Sequence, residues 1–138
     1  MVVLDTNVLS ELMKQAPAAR VVQWVASHPA TSLFTTSITY AEIAHGIMLL
    51  PAGRRRSAIE TAAEVMFKEE FAGRLLPFDY HAAPHYAQIA AVRQRRGRPI
   101  SHFDAQIAAI ARTAGAIVAT RNVNDFEECG VEVVNPWM

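Results

Sequence analysis

Four acidic side chains interrupt apolar segments at widely separated points of the chain. Asp5 follows the run VVL, Glu42 lies in TYAEIAHG, Asp104 in SHFDAQIAAIA and Asp125 in TRNVNDF. Taken singly, each acid has a structural explanation. Asp5 and Asp125 would be helix N-caps, Glu42 would lie on a solvated helix face, and Asp104 would be a first-turn acid favoured by the helix dipole.

Taken together, the acids favour a metal site. Asp104 lies in a segment that is apolar on nearly every side of a helix, so we expect it to be buried, where an unpaired carboxylate is costly. No Lys or Arg lies within several residues of Asp5, Glu42 or Asp104. Acids that converge must repel each other or share a divalent cation, and oxygen ligands suit Mg²⁺ or Mn²⁺ better than Zn²⁺. Such a site is typical of phosphodiester hydrolysis, and the lack of a Walker A loop argues against an NTPase.

The composition is that of a compact globular protein, and we expect one domain over residues 1–138. Hydrophobic residues make up 51% of the chain and charged residues 19%, with a formal net charge of +0, which leaves nucleic-acid binding open. The single cysteine, Cys129, excludes an intramolecular disulfide and a Cys-based metal site, and it favours a reducing, cytoplasmic setting. Neither a signal peptide nor a membrane span is expected.

Short apolar runs alternate with helical patterns along the whole chain. We expect strands at 1–5, 31–37, 74–78, 116–120 and 131–135, and helices at 6–14, 18–28, 37–50, 52–73, 83–97 and 101–115. Pro77 favours an edge position or a strand end for the third strand. This alternation predicts an α/β fold with a mostly parallel sheet, whose ligands gather beyond the carboxyl ends of the strands. Asp5 ends the first strand, and Thr120, Asn122 and Asp125 follow the fourth.

Four sequence blocks, in matching order and spacing, resemble those of PIN-domain ribonucleases, specifically the VapC-type toxins of bacterial type II toxin–antitoxin systems. The blocks are LDTNVLSEL, TYAEIAHGI, RPISHFDAQIAAIA, and TRNVNDF followed by VNPW. The resemblance implies a three-layer α/β/α PIN domain with a central, mostly parallel sheet of about five strands. It also implies an endoribonuclease that uses Mg²⁺ or Mn²⁺, a VapB-type antitoxin as partner, and a homodimer.

Carried over by position, Asp5, Glu42 and Asp104 match the three core acids of the family. The fourth acid is open, because many members carry Asp where this chain has Asn122, whereas others place it at the position of Asp125. In the implied mechanism Asp5 and Asp104 bind the metal, and Glu42 is a further ligand or orients the attacking water. The supporting polar residues are Thr120, which matches a hydroxyl that orients an acid or water, together with Asn122, Thr6 and Asn7.

Arginine outnumbers lysine eleven to two, and seven of the arginines form two clusters. Arg54–Arg56 is either a solvated helix face or a surface for an acidic partner. The second cluster flanks the Asp104 block and is our preferred RNA-binding region over a solvated face. The predicted RNA-binding residues are Arg93, Arg95, Arg96, Arg98 and Arg121. Trp137 is expected to serve structural packing.

Two other functions stay open at this point. The chain could be an RNA-processing nuclease without an antitoxin, or an inactive PIN module that binds RNA or protein. The complete set of core acids argues against an inactive module, and a compact domain without an appended RNA-binding segment favours a toxin. The RNA target and the number of metal ions are not indicated by the sequence.

Overall fold

Five short strands form one sheet in a computed structural model that describes all 138 residues. The strands are β1 (Val2–Leu4), β2 (Leu33–Thr36), β3 (Leu75–Leu76), β4 (Ile117–Ala119) and β5 (Val133–Val134). They lie in the order β3-β2-β1-β4-β5, and every neighbouring pair is parallel. The predicted five-stranded parallel sheet is therefore confirmed, with β3 at an edge.

Six α-helices cover the two faces of this sheet. They are α1 (Thr6–Leu12), α2 (Ala19–Ala26), α3 (Ser37–Met48), α4 (Arg54–Val65), α5 (Ala82–Arg95) and α6 (His102–Ala114). Buried residues of α1 to α4 pack with one face of the sheet, and those of α5 and α6 pack with the other. This arrangement is the three-layer α/β/α fold. No helix is long and apolar enough to cross a membrane.

The sequence of the central strand β1 does not alternate between polar and apolar residues, because both faces of this strand are buried. Val2 and Leu4 join the core on one face of the sheet, and Val3 joins the core on the other face. A strand buried on both faces needs apolar residues at every position. The apolar run therefore stops at Asp5, where β1 leaves the sheet and α1 begins.

The elements differ from the sequence prediction mainly at their ends. The strands are two to four residues long, shorter than expected. Polar residues at or directly after the ends of β1 and β2 cap the helices that follow. Asp5 caps α1 and Thr36 caps α3. The helix expected over 52–73 is divided: α4 ends at Val65, a π-helical segment runs from Met66 to Glu70, and the chain turns at Gly73 with φ +75°. A positive φ is adopted by glycine without steric cost, so the predicted end at Gly73 is physically sound.

Candidate active site

A polar cleft of about 440 Å³ lies at the carboxyl ends of β1 and β4. Its lining combines residues that follow these strands with residues of α1, α3 and α6, and Trp137 is its single hydrophobic member. The lining residues are Asp5, Thr6, Asn7, Ser10, Glu11, Lys14, Glu42, Asp104, Arg121, Asn122 and Trp137. The fold thus brings the three core acids, which are 37 and 62 residues apart in sequence, to one cleft.

Asp5 is both a helix cap and a member of the cleft. Its Oδ1 accepts a hydrogen bond from the backbone N–H of Thr6 at 2.8 Å, which caps α1. Its Oδ2 accepts from the hydroxyl of Thr120 at 2.8 Å. The residue is only 5% exposed, yet it lines the cleft. The two explanations offered by the sequence, cap and ligand, are therefore compatible in one side chain.

Thr120 connects the segment after β4 to the segment after β1. This fully buried hydroxyl donates to Asp5 and accepts from the Asn7 side-chain amide and the Asn122 backbone N–H, both at 3.1 Å. The side-chain oxygen Oδ1 of Asn7 in turn accepts a hydrogen bond from the backbone N–H of Arg121 at 3.2 Å. Because these groups satisfy one another, the orientation of the Asp5 carboxylate is fixed by both strand ends.

Glu42 lies in α3 and is half-buried. The Thr6 hydroxyl donates to its Oε1 at 2.9 Å, so α1 holds the carboxylate of α3 towards the cleft.

Asp104 lies in the first turn of α6, where the Ser101 hydroxyl caps the helix by accepting from the Asp104 backbone N–H at 3.1 Å. The burial expected for Asp104 is only partial: its side chain is half-buried, because the first turn of α6 opens onto the cleft.

The three core acids share a raised affinity for protons. Burial raises the pKa of Asp5 to about 6, with repulsion from Asp104 and Glu42 acting in the same direction and the hydrogen bonds from Thr120 and Thr6 opposing it. Burial, followed by repulsion from Asp104, raises the pKa of Glu42. Burial, followed by repulsion from Asp125, raises the pKa of Asp104. A bound cation would relieve the repulsion that Asp104 exerts on Asp5 and Glu42.

The donor set fits a hard divalent cation that keeps part of its water shell. No three His, Cys, Asp or Glu side chains lie close enough together to form a preassembled metal site. That spacing does not fit a tetrahedral zinc centre, which needs several close N or S ligands. Mg²⁺ is commonly bound through one or two carboxylates and several waters, and Asp5, Asp104 and Glu42 present such oxygen ligands around open space.

The two candidates for the fourth polar position lie in different places. Asn122 lines the cleft and follows Thr120 directly. Asp125 is exposed in a 3₁₀ turn (Val123–Phe126) and does not line the cleft, although its charge raises the pKa of Asp104. Asn122 is therefore positioned beside the core acids, whereas Asp125 lies outside the cleft lining and acts on Asp104 through its charge.

The predicted RNA-binding arginines have different environments. Arg93 is 5% exposed, and its guanidinium donates to the carbonyl oxygens of Arg98, Asp125 and Glu127 at 2.7, 2.9 and 3.0 Å. The donors of Arg93 hold the 3₁₀ turn against α5, an environment that does not favour the predicted contact of Arg93 with RNA. Arg96 and Arg98 form exposed ion pairs with Glu128 and Glu127, Arg95 is exposed, and Arg121 lines the cleft.

Replacement of Arg93 by Met should lower the free energy of unfolding by about 2–3 kcal/mol, because buried hydrogen bonds from a charged donor are lost. Urea denaturation measures this change. Arg95→Met is the matched control, and its exposed position predicts an effect within about 0.5 kcal/mol. Equal stabilities of the two variants would show that Arg93 does not anchor the turn.

Four cleft residues were not assigned to the site from the sequence: Ser10, Glu11, Lys14 and Trp137. Ser10, Glu11 and Lys14 lie three, four and seven residues after Asn7, along α1 and just beyond its end. This polar stripe has helical spacing, so it was available in the sequence. Glu11 accepts hydrogen bonds from Lys14 and from the backbone N–H of Ala18, each at 2.9 Å. Both bonds lower the pKa of Glu11, and the bond from Lys14 has the larger effect.

The parallel α/β/α fold and its polar cleft place this chain among the α/β proteins whose site lies at the carboxyl edge of the sheet. The model of the PIN domain family matches residues 2–131. The chain belongs to the PIN-domain family, which confirms the resemblance drawn from the four sequence blocks.

Relatives and a solved structure match almost end to end. The chain is 40% identical over 137 residues to VapC ribonuclease Y4jK of Sinorhizobium fredii, covering 99% of this chain and 98% of that protein. It is 39% identical over 137 residues to toxin FitB of Neisseria gonorrhoeae, covering 99% of both. A solved structure of FitAB bound to an IR36 DNA fragment superposes with a TM-score of 0.92 at 38% identity, covering 100% of this chain and 96% of that chain.

Proposed function

We propose that this chain is a divalent-metal-dependent endoribonuclease and the toxin of a toxin–antitoxin pair, with Mg²⁺ as its cofactor and Mn²⁺ as a substitute. The observation that carries the proposal is the convergence of Asp5, Glu42 and Asp104 on one cleft, where the pKa of each is raised. RNA as substrate is supported by the relative named VapC ribonuclease. The toxin role and the antitoxin partner are supported by FitB, named a toxin, and by the FitAB complex.

In this proposal Asp5 and Asp104 hold the metal, and Glu42 is a third ligand or orients the attacking water. The bound metal would neutralise the phosphate, lower the pKa of a water and stabilise the leaving oxygen. The Thr120 and Thr6 hydroxyls aim the carboxylates of Asp5 and Glu42 by donating to them. Such outer hydrogen bonds typically change metal affinity or activity ten- to a hundredfold.

Asn122 completes the polar rim of the cleft in this proposal, and Asp125 contributes negative charge that acts on Asp104. Arg95, Arg96, Arg98 and Arg121 remain the candidates for contact with the RNA backbone. We also propose that residues 1–138 form a single PIN domain that acts in the cytoplasm as a homodimer. Exposed Tyr40 and Met48 beside an apolar groove between α3 and α4 support a protein-binding surface there.

Incubation of the purified protein with total bacterial RNA, followed by sequencing of the new 5′ ends, tests the nuclease proposal. We expect discrete cleavage sites with Mg²⁺ or Mn²⁺, and none in EDTA or with Asp104→Asn. Glu69→Gln is the matched control, because it removes an exposed carboxylate that makes no ion pair or side-chain hydrogen bond. Cleavage that persists in EDTA or in Asp104→Asn would overturn the proposal. Growth arrest on expression, relieved by the same substitution, tests the toxin role.

A further inference from the structure

We infer that Arg121 binds a backbone phosphate of the substrate RNA and that Trp137 holds the Arg121 guanidinium in position to do so. This inference rests on the proposed nuclease function and assigns two residues of the same cleft. The Arg121 Cζ atom lies 5.2 Å from the centroid of the Trp137 ring, within the distance of a cation–π contact. Both side chains line the cleft that holds the core acids.

Arg121 is the cleft cation whose side-chain donors are unused. Its guanidinium makes no ion pair and no hydrogen bond within the chain; its one bond to a side chain comes from its backbone N–H. Lys14, the other cation of the cleft, is paired with Glu11 at 2.9 Å. By contrast, the guanidinium groups of Arg93, Arg96 and Arg98 are all bound to protein oxygens. An arginine with five free N–H donors in a substrate cleft is suited to an anionic ligand.

The position of Arg121 is fixed from two sides. Its backbone N–H donates to Asn7, which in turn donates to Thr120, the residue that binds Asp5. Its guanidinium lies over the Trp137 ring, and the backbone N–H of Trp137 donates to the Asn135 side-chain oxygen at 2.9 Å. The Trp137 ring is half-buried and packs partly against the core, as the sequence predicted. The ring is therefore a fixed platform rather than a mobile C-terminal side chain.

Stacking suits this role for a geometrical reason. A cation–π contact uses the face of the guanidinium, whereas its N–H donors lie in the plane and point outward. The Arg121 guanidinium can therefore donate two hydrogen bonds to a phosphate while it stays over the Trp137 ring. A cation at this position would add to the charge of the bound metal in offsetting the repulsion between the three carboxylates and RNA.

The test measures binding of a short fluorescein-labelled single-stranded RNA by anisotropy, with Ca²⁺ as the divalent ion and the intact RNA verified on a gel. We expect Arg121→Ala to weaken binding about tenfold to a hundredfold. The slope of log affinity against log salt should become shallower by about 0.7, the value for one phosphate contact on a single strand. Arg20→Ala, which removes an exposed charge outside the cleft, should change neither quantity.

Trp137 is tested by its coupling to Arg121. Trp137→Leu should weaken binding about three- to tenfold, and Trp137→Phe should restore most of it, because an aromatic face is kept. In the Arg121→Ala background, Trp137→Leu should have no further effect. An effect of Trp137→Leu that is fully additive, an equal defect in Trp137→Phe, or an Arg121→Ala protein that binds like Arg20→Ala would overturn the inference.

These results separate the inference from the proposed function. A wild-type protein that shows the expected binding pattern but cleaves no RNA would refute the nuclease and leave the inference standing. A wild-type protein that cleaves RNA, with an Arg121→Ala variant that binds and cleaves equally well, would refute the inference alone.

Discussion

Replacement of Asp5 by Asn should abolish RNA cleavage and at the same time make the metal-free protein more stable. The loss of activity should be about a thousandfold or more, since a direct ligand matters more than the outer partners that typically contribute ten- to a hundredfold. The gain in stability follows from burial. Asp5 is 5% exposed, and this burial, with added repulsion from Asp104 and Glu42, raises its pKa to about 6, so its charge is unfavourable at neutral pH.

The size of the gain has an upper limit set by that pKa. A rise from 3.8 to about 6, at about 1.4 kcal/mol per pKa unit, corresponds to about 3 kcal/mol of unfolding free energy at pH 7. Urea denaturation in EDTA measures the stability, and cleavage of the mapped RNA measures the activity. Glu69→Gln should change neither. A less stable Asp5→Asn protein would show that the Asp5 charge is compensated within the chain, and full activity would remove Asp5 from the metal site.

The difference in stability between Asp5→Asn and the wild type should itself depend on pH. A carboxyl whose pKa is higher in the folded state binds more protons when folded, so its contribution to stability is fully present below pH 3.8 and is lost as pH rises through about 6. We therefore expect the variant and wild type to be nearly equal in unfolding free energy near pH 4. The difference should grow to at most about 3 kcal/mol at pH 7, with EDTA present.

Divalent metal should offset most of this difference. A ligand that binds only the folded state adds about 2.7 kcal/mol at a hundred times its dissociation constant. At pH 7, Mn²⁺ should therefore raise the unfolding free energy of the wild type and leave Asp5→Asn unchanged. Below pH 6 the stabilisation of the wild type should fade, because protons compete for the carboxylate. A pH-independent difference between the two proteins, or equal stabilisation by Mn²⁺, would contradict the assignment of Asp5.

The fold could be predicted well from the sequence because its signals are local. The doubly buried β1 and the alternation of strands with helices are visible as apolar runs and periodicity. The ends of the elements were less predictable, because Asp5 and Thr36 are polar residues that both end a strand and cap a helix. The π-helical segment after Val65 has no sequence signal that we recognise.

The site was only partly visible in the sequence. The core acids stood out because they interrupt apolar segments, and the polar stripe of α1 could have been found from its spacing. The role of Arg93 could not be found, because its three carbonyl partners lie 5, 32 and 34 residues away along the chain. The stacking of Arg121 on Trp137 likewise depends on β4 and the C-terminal segment meeting in space.

The most direct measurement of the metal site is the anomalous scattering of Mn²⁺ in crystals of the wild-type protein and of Asp5→Asn. We predict an anomalous peak in the cleft, in contact with the Asp5 and Asp104 carboxylates, in the wild type and its absence from the variant. A peak bound elsewhere with none between these acids, or an unchanged peak in Asp5→Asn, would contradict a metal-dependent site built on Asp5, Glu42 and Asp104.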